Sequence, residues 1–143
     1  MDIPKSDNVV FVAELSELPD MLSWVRAKAS LAGFSHSARH KIEVSLEEIL
    51  VNIISYAHAD VPGTVDLTAH WIVDDYIEYT IKDRGQAFNP AKHNASIDPA
   101  VPVEERAVGG VGITLVKAFM DEMQYKREGV YNILTLRKYC KTK

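Results

Sequence analysis

The sequence predicts an α+β fold, a two-layer sandwich in which helices cover one face of a mixed, mainly antiparallel sheet. Three observations indicate this fold: two amphipathic helical stretches near the N-terminus, a pair of alternating segments that meet at a turn, and a further helix followed by alternating residues near the C-terminus. The chain has 143 residues, 47% of them hydrophobic, which is typical of a single compact domain over residues 1–143.

The composition argues against several classes of protein. No apolar run of about 18 residues is present, and the N-terminus lacks the basic and apolar stretches of a signal peptide, so we expect a cytoplasmic protein without a membrane partner. The single cysteine, Cys140, excludes an internal disulfide and a thiolate metal site. With 20 acidic and 16 basic residues and no basic stripe, nucleic acid is not the expected ligand.

The N-terminal part of the chain predicts one strand followed by two helices. Residues Asn8–Leu15 are rich in β-branched and aromatic side chains, which favours a strand. Apolar residues at helical spacing begin at Leu18 and end before Gly33, and Ser35 or Ser37 can cap a second, longer helix. That helix has an apolar stripe and also a polar stripe that we expect to stay available to a ligand, formed by Ser45, Glu48, Asn52 and Ser55.

The rest of the chain predicts a sheet that is interrupted by one long loop. Residues 64–73 and 76–82 alternate apolar and polar side chains around Asp74-Asp75, which is typical of a β-hairpin. Residues 85–108 contain three prolines and no sustained period, so they predict a long loop of the kind that forms functional lids or is disordered. A third helix then carries apolar residues from Ile113 to Met123, and residues 131–138 alternate as a closing strand.

Two polar residues of the long helix form the first candidate for chemistry. Glu48 and Asn52 are spaced i and i+4, so both side chains project from the same side of the helix. The oxygen of Asn52 can bind Mg²⁺ together with phosphate oxygens and water, and Glu48 can orient or deprotonate a nucleophile. Glu47 points about 100° further away from Asn52, so Glu48 is the preferred carboxylate. An isolated pair of this kind is more often a solvated helix face.

Two glycine-containing segments supply the other candidates. Asp83-Arg84-Gly85 follows a strand, where Gly85 allows a flat ligand to approach and an ionised Asp83 can accept a hydrogen bond from the amino group of adenine. The segment Gly109-Gly110-Val111-Gly112 opens a helix, whose free N–H groups and positive dipole end can bind phosphate. Each segment alone is commonly a turn or a loop, and their order along the chain is what favours a nucleotide site.

In this order, the three segments resemble the N, G1 and G2 boxes of the GHKL family of ATP-binding proteins, which includes gyrase, MutL and histidine kinases. The boxes correspond to residues 44–52, 83–85 and 109–113. The short chain and residues 102–110 further resemble the anti-sigma-factor serine kinases of bacterial partner switching, the RsbW type. The resemblance extends over residues 11–138 and so covers nearly the whole chain.

The resemblance implies a role for each box. Glu48 is implied as the catalytic carboxylate, Asn52 as the Mg²⁺ ligand, and Asp83 as the residue that reads adenine, with Gly85 packed beside it. The residues implied to bind the phosphates are Gly110, Gly112, Thr114 and, from the lid, Arg106. The sequence departs from the family pattern at Tyr56, where many members have a histidine, and near a threonine of the adenine site, where Asn132 stands.

The implied function is that of an anti-sigma factor with serine/threonine protein kinase activity. Such a protein uses ATP and Mg²⁺ to phosphorylate a small antagonist protein, binds a sigma factor, and forms a homodimer. Two alternatives stay open from the sequence. One is a binding module that holds ATP as a structural ligand without phosphorylating its partners, and the other is an ATPase fragment of a larger signalling machine.

Overall fold

The computed structural model describes residues 3–60, 62–90 and 112–140, which form a five-stranded sheet and three α-helices. The predicted α+β two-layer fold is confirmed. The elements in chain order are β1 (Lys5–Val12), α1 (Leu18–Leu31), α2 (His36–Asn52), β2 (Thr64–Ile72), β3 (Tyr76–Asp83), α3 (Gly112–Phe119), β4 (Glu122–Glu128) and β5 (Tyr131–Tyr139). Within these ranges, no helix combines the length and the apolar character needed to cross a membrane.

The strands follow the order β1-β2-β3-β5-β4 across the sheet, and each described pairing is antiparallel. The mainly antiparallel sheet is therefore confirmed, and no parallel pair is found among the strands that the structure describes. The two central strands β3 and β5 pair so that Asp83 lies opposite Asn132. This register brings together two polar residues that are far apart in the sequence.

The core lies between the sheet and the three helices, where α2 packs between α1 and α3. Alternate residues of β2, β3 and β5 point toward the helices and are buried, as expected for a sheet with one covered face. Tyr79 of β3 is fully buried, and its hydroxyl donates to the carbonyl oxygen of Val25 in α1 at 2.8 Å. Burial raises the pKa of Tyr79 above its usual range, so the hydroxyl stays protonated and holds α1 to the sheet.

The boundaries of two predicted elements were wrong. Strand β1 begins at Lys5 and ends at Val12 rather than at Leu15, because the chain leaves the sheet at Ala13, whose N–H donates to the carbonyl oxygen of Gly63. The third helix ends at Phe119, and Met123 lies in strand β4. Lys138 of β5 is buried beneath that helix end and donates to the carbonyl oxygen of Phe119 at 2.5 Å, where a cation is favourable. Burial lowers the pKa of this lysine.

Helix α2 begins as predicted, but two residues of its polar stripe are buried. Of the two candidate caps, Ser35 is the one used, and its hydroxyl accepts a hydrogen bond from the N–H of Ala38 at 3.2 Å. The expectation that the polar stripe stays available was wrong for Ser45 and Asn52, which are fully buried. Ser45 satisfies its hydroxyl by donating to the carbonyl oxygen of Lys41 within the same helix.

Candidate functional site

Glu48 and Asn52 are in direct contact at the C-terminal end of α2. The side-chain nitrogen of Asn52, Nδ2, donates to Oε2 of Glu48 at 2.9 Å. A carboxylate can only accept hydrogen bonds, so this contact fixes the orientation of the Asn52 amide and turns its oxygen, Oδ1, away from Glu48. Glu48 is half-buried, whereas the neighbouring Glu47 is exposed, which agrees with the preference for Glu48 over Glu47.

The oxygen of Asn52 is the first atom whose environment indicates a ligand. Asn52 is fully buried, and its Oδ1 has no hydrogen-bond partner among the described residues. Burying an acceptor without a partner costs about 1–3 kcal/mol, so such atoms are rare unless a ligand completes them. Mg²⁺ binds oxygen atoms and is usually held by few protein ligands. The side chain of Asn52 therefore fits the metal ion that the sequence predicts there.

The two carboxylate oxygens of Asp83, at the end of β3, differ in their hydrogen bonding. Its Oδ1 accepts from the N–H of Gly85 at 2.8 Å and from Nδ2 of Asn132 at 3.0 Å, and it lies 3.0 Å from Nε2 of His58. Its Oδ2 is buried and has no hydrogen-bond partner in the described part of the chain. The second oxygen is thus the one left for a donor on a ligand.

Asn132 connects Asp83 to the residues that follow Gly85. Its Nδ2 donates also to the carbonyl oxygen of Gln86 at 2.8 Å, while its Oδ1 accepts from the N–H of Phe88 at 3.1 Å and from the hydroxyl of Tyr125 at 2.6 Å. All of its strong hydrogen-bonding positions are engaged within the protein. Asn132 therefore acts as a connector that holds residues 86–88 against β5 and beside the carboxylate of Asp83.

The end of α2 packs directly against the turn that contains Gly85. Beyond Asn52 the helix widens into a π turn over Ile53–Ala57, a feature often found at functional sites. The carbonyl oxygen of Ala57 accepts from the N–H of Gln86 at 2.9 Å, and the rings of Tyr56 and Phe88 stack with centroids 5.4 Å apart. The predicted N-box helix and the predicted G1 turn are therefore joined into one unit.

Gly85 is required by this close approach. A Cβ atom added at Gly85 would lie only 2.4 Å from the carbonyl oxygen of Ala57, so the backbone itself would have to move. We expect Gly85→Ala to destabilise the protein by about 1–3 kcal/mol and to weaken ATP binding, because the turn carries Asp83. Urea unfolding measures the first effect and calorimetric titration with ATP the second.

A second glycine offers a matched control for this prediction. Gly129 has a positive φ of 61°, yet an added Cβ would meet nothing within 4 Å. Gly129→Ala should cost about 1–2 kcal/mol through backbone strain alone and leave ATP affinity unchanged. Equal loss of ATP affinity in both variants would show that Gly85 has no special place in the nucleotide site.

The residues predicted to bind phosphate are only partly within the described ranges. Gly112 is the first residue of α3, and Thr114 is exposed in its first turn, whereas Arg106 and Gly110 lie outside the described residues. The ammonium group of Lys41 lies 5.7 Å from the ring centroid of Phe119, which places the end of α3 beside the first half of α2. The phosphate contacts at the start of α3 therefore stay predictions.

His58 is a residue of the site for which the sequence pattern predicted no role. This histidine follows the π turn, its side chain is 1% exposed, and it contacts Asp83. No spacing rule indicates such a contact, since the two residues are separated by 25 positions. Asn132, noted only as a departure from the family pattern, proves to be the other side-chain donor to Asp83.

Comparisons with known proteins identify the family and the fold of the chain. The model of the histidine kinase-like ATPase domain family matches residues 11–138. The chain is 30% identical over 131 residues to the serine-protein kinase RsbW of Oceanobacillus iheyensis, covering 90% of this chain and 78% of that relative. It is 26% identical over 131 residues to the serine-protein kinase RsbW of Halalkalibacterium halodurans, covering 90% of this chain and 75% of that protein.

A solved structure shows the same fold. The crystal structure of the RsbU and RsbW domains of a Mycobacterium tuberculosis protein matches with a TM-score of 0.63 at 18% identity, over 94% of this chain and 31% of that longer one. Together with the relatives, it confirms the resemblance that the three boxes of the sequence suggested. The chain belongs to the histidine kinase-like ATPase domain family.

Proposed function

We propose that this chain is an ATP-dependent serine/threonine protein kinase that acts as an anti-sigma factor. The observation that carries the proposal is a pair of buried oxygens at the two predicted nucleotide boxes, Oδ1 of Asn52 and Oδ2 of Asp83, which have no hydrogen-bond partner among the described residues. Oδ1 of Asn52 suits a cation, and Oδ2 of Asp83 suits an N–H donor. Mg-ATP carries both, because it contains a metal ion and the amino group of adenine. The names of the relatives as serine-protein kinases support the reaction class.

Each end of the nucleotide has a proposed partner. Oδ2 of Asp83 accepts a hydrogen bond from the amino group of adenine, and Oδ1 of Asn52 binds Mg²⁺. When bound, Mg²⁺ neutralises charge on the phosphates. The proposed phosphate contacts are Gly112 and Thr114 at the start of α3, with Gly110 and Arg106 from the segment before it.

Glu48 is the proposed general base. The amide of Asn52 holds one of its oxygens, Oε2, which fixes the orientation of the carboxylate next to the proposed metal ligand. The other oxygen accepts the proton of a serine hydroxyl on the substrate protein. The serine oxygen then bonds to the terminal phosphorus atom as the bond to the ADP oxygen breaks, and positioning supplies most of the acceleration.

Two protein partners and a homodimer belong to the proposal. The phosphate acceptor is a serine on a small antagonist protein, and the second partner is a sigma factor that the kinase binds. The support for both partners is the similarity to proteins of the RsbW type over 90% of the chain.

Transfer of labelled phosphate tests the proposed reaction. The purified chain is incubated with γ-labelled ATP, Mg²⁺ and each candidate antagonist protein, together with the same antagonist in which the acceptor serine is replaced by alanine. We expect label on the antagonist and none on its alanine variant. Tight ATP binding without transfer to any antagonist would favour the binding module that holds ATP without phosphorylating its partners.

A further inference from the structure

His58 is a buried imidazole that the proposed reaction does not use. It follows the π turn at the end of α2, and its Nε2 lies 3.0 Å from Oδ1 of Asp83, with both side chains 1% exposed. Burying a polar ring costs free energy unless it is hydrogen-bonded, and the contact with Asp83 supplies a hydrogen bond. Asp83, which His58 contacts, is also the residue that the proposed function places against the adenine base.

The contact has a defined hydrogen-bond direction. An ionised carboxylate can only accept, so Nε2 of His58 must carry the proton and donate it to Oδ1 of Asp83. The ring is also held from its other side, because an added Cβ at Gly63 would lie 3.1 Å from Cε1 and 3.3 Å from Nδ1 of His58. Asp83 and the backbone of Gly63 therefore lie against two sides of the imidazole.

The donors around Asp83 are distributed unevenly. Gly85, Asn132 and His58 all meet Oδ1, at 2.8, 3.0 and 3.0 Å. None of the described residues donates to Oδ2, although that oxygen is buried as well. Three donors on one oxygen resist rotation of the carboxylate, because a rotation that moved Oδ1 would break all three hydrogen bonds. Oδ2 is then the carboxylate oxygen of Asp83 that no described residue engages.

We infer that His58 is a positioning residue for base recognition. It holds the carboxylate of Asp83 so that Oδ2 is left for the exocyclic amino group of a 6-aminopurine, and it thereby contributes to selection of ATP over nucleotides that lack this group. The inference rests on the proposed binding of ATP at Asp83. If His58 has this role, its replacement should reduce the preference for ATP over nucleotides without the amino group, rather than weaken the binding of all nucleotides.

Two polar variants of His58 separate positioning from packing. His58→Gln places its amide nitrogen about where Nε2 of the imidazole lies, whereas His58→Asn is one methylene shorter and cannot donate at that place. Both remove the ring, so they disturb packing in similar ways. His70→Asn, at an exposed histidine of β2, controls for changes elsewhere on the protein.

The measurement is calorimetric affinity for ATP and for the triphosphate of purine riboside, which lacks the 6-amino group. The wild type should prefer ATP by about 10- to 100-fold, the range for a hydrogen bond to a charged acceptor. His58→Asn should reduce this preference by about 3- to 10-fold while leaving the affinity for the second nucleotide within about twofold. His58→Gln should recover most of the preference, and His70→Asn should keep all of it.

A double-mutant comparison tests whether His58 acts through Asp83. With Asp83→Asn in place, the preference for ATP should already be lost, and adding His58→Asn should change it no further. Equal weakening of both nucleotides by His58→Asn, or equal selectivity of the Gln and Asn variants, would overturn the inference while leaving ATP binding by the wild type intact. A wild type that binds neither nucleotide would overturn the proposed function and the inference with it.

Discussion

Glu48→Gln should lower the rate of phosphoryl transfer by about 10²- to 10⁴-fold, the usual contribution of a general base. Glutamine keeps the length of the side chain and an oxygen that can accept from Nδ2 of Asn52, so the contact that orients both residues survives. What is lost is the carboxylate oxygen that accepts the proton of the serine hydroxyl. The affinity for Mg-ATP should remain close to that of the wild type.

The matched control for this prediction is Glu47→Gln. Glu47 precedes Glu48 and has the same chemistry, but its side chain is exposed. Initial rates of label transfer, measured with saturating ATP and antagonist, should be normal for the Glu47 variant. If the two variants transfer phosphate at the same rate as the wild type, the hydroxyl is activated by positioning alone. If the chain is an anti-sigma factor, the Glu48 variant should still bind its sigma factor.

Asn52→Ala should lower the affinity for ATP in the presence of Mg²⁺ by about 10- to 100-fold or more, since even changes beside metal ligands have effects of that size. Alanine is a good helix former, so α2 should remain helical. Without Mg²⁺, in the presence of a chelator, the variant and the wild type should bind ATP about equally well. Calorimetric titrations under the two conditions give both affinities.

Ser45→Ala is the control for the metal assignment. Ser45 lies on the same helix and is also fully buried, but its hydroxyl donates to the carbonyl oxygen of Lys41 and is not left without a partner. Its removal should change the thermal midpoint of unfolding without changing the Mg²⁺ dependence of ATP binding. An Asn52 variant whose ATP affinity still depends on Mg²⁺ as in the wild type would exclude Asn52 as the metal ligand.

The parts of the fold that could be predicted are those determined by nearby residues. Ser35 caps α2 because a serine hydroxyl at that position satisfies an N–H of the first turn. The β2–β3 hairpin follows from strict alternation on both sides of Asp74, which adopts a positive φ of 63° in the turn. Such features depend on a few consecutive residues, so the sequence reports them directly.

Strand β4 illustrates what periodicity alone could not resolve. Its inward residues Met123 and Tyr125 are only half-buried, and the others are charged or polar, as is common in a strand at the edge of a sheet. The apolar spacing of α3 also extends through Met120 to Met123 without a break. The helix instead ends at Phe119, whose carbonyl oxygen accepts from Lys138 on β5, a contact between residues nearly 20 positions apart that no local pattern reports.

In the candidate site as well, features that depend on nearby residues could be predicted, and features that depend on distant contacts could not. Spacing identified Glu48 and Asn52 as neighbours on one side of a helix, and they are hydrogen-bonded. Spacing could not show that Asn52 is buried with its oxygen unpartnered, because that depends on what packs around α2. Spacing could not place His58 either. The π turn before His58 is held by a long-range contact, in which the N–H of Gln86 donates to the carbonyl oxygen of Ala57.

The pairing of Asp83 with Asn132 across β3 and β5 also has a consequence for how the site can diverge among relatives. Both residues lie on adjacent central strands, so the chain that leaves at residue 84 returns beside its own starting point. In general, each doubling of the length of a connecting loop costs only about 0.6 kcal/mol of closure entropy. Changes of chain length between residue 88 and α3 should therefore cost folding little, while Asp83 keeps its place opposite Asn132 in the sheet.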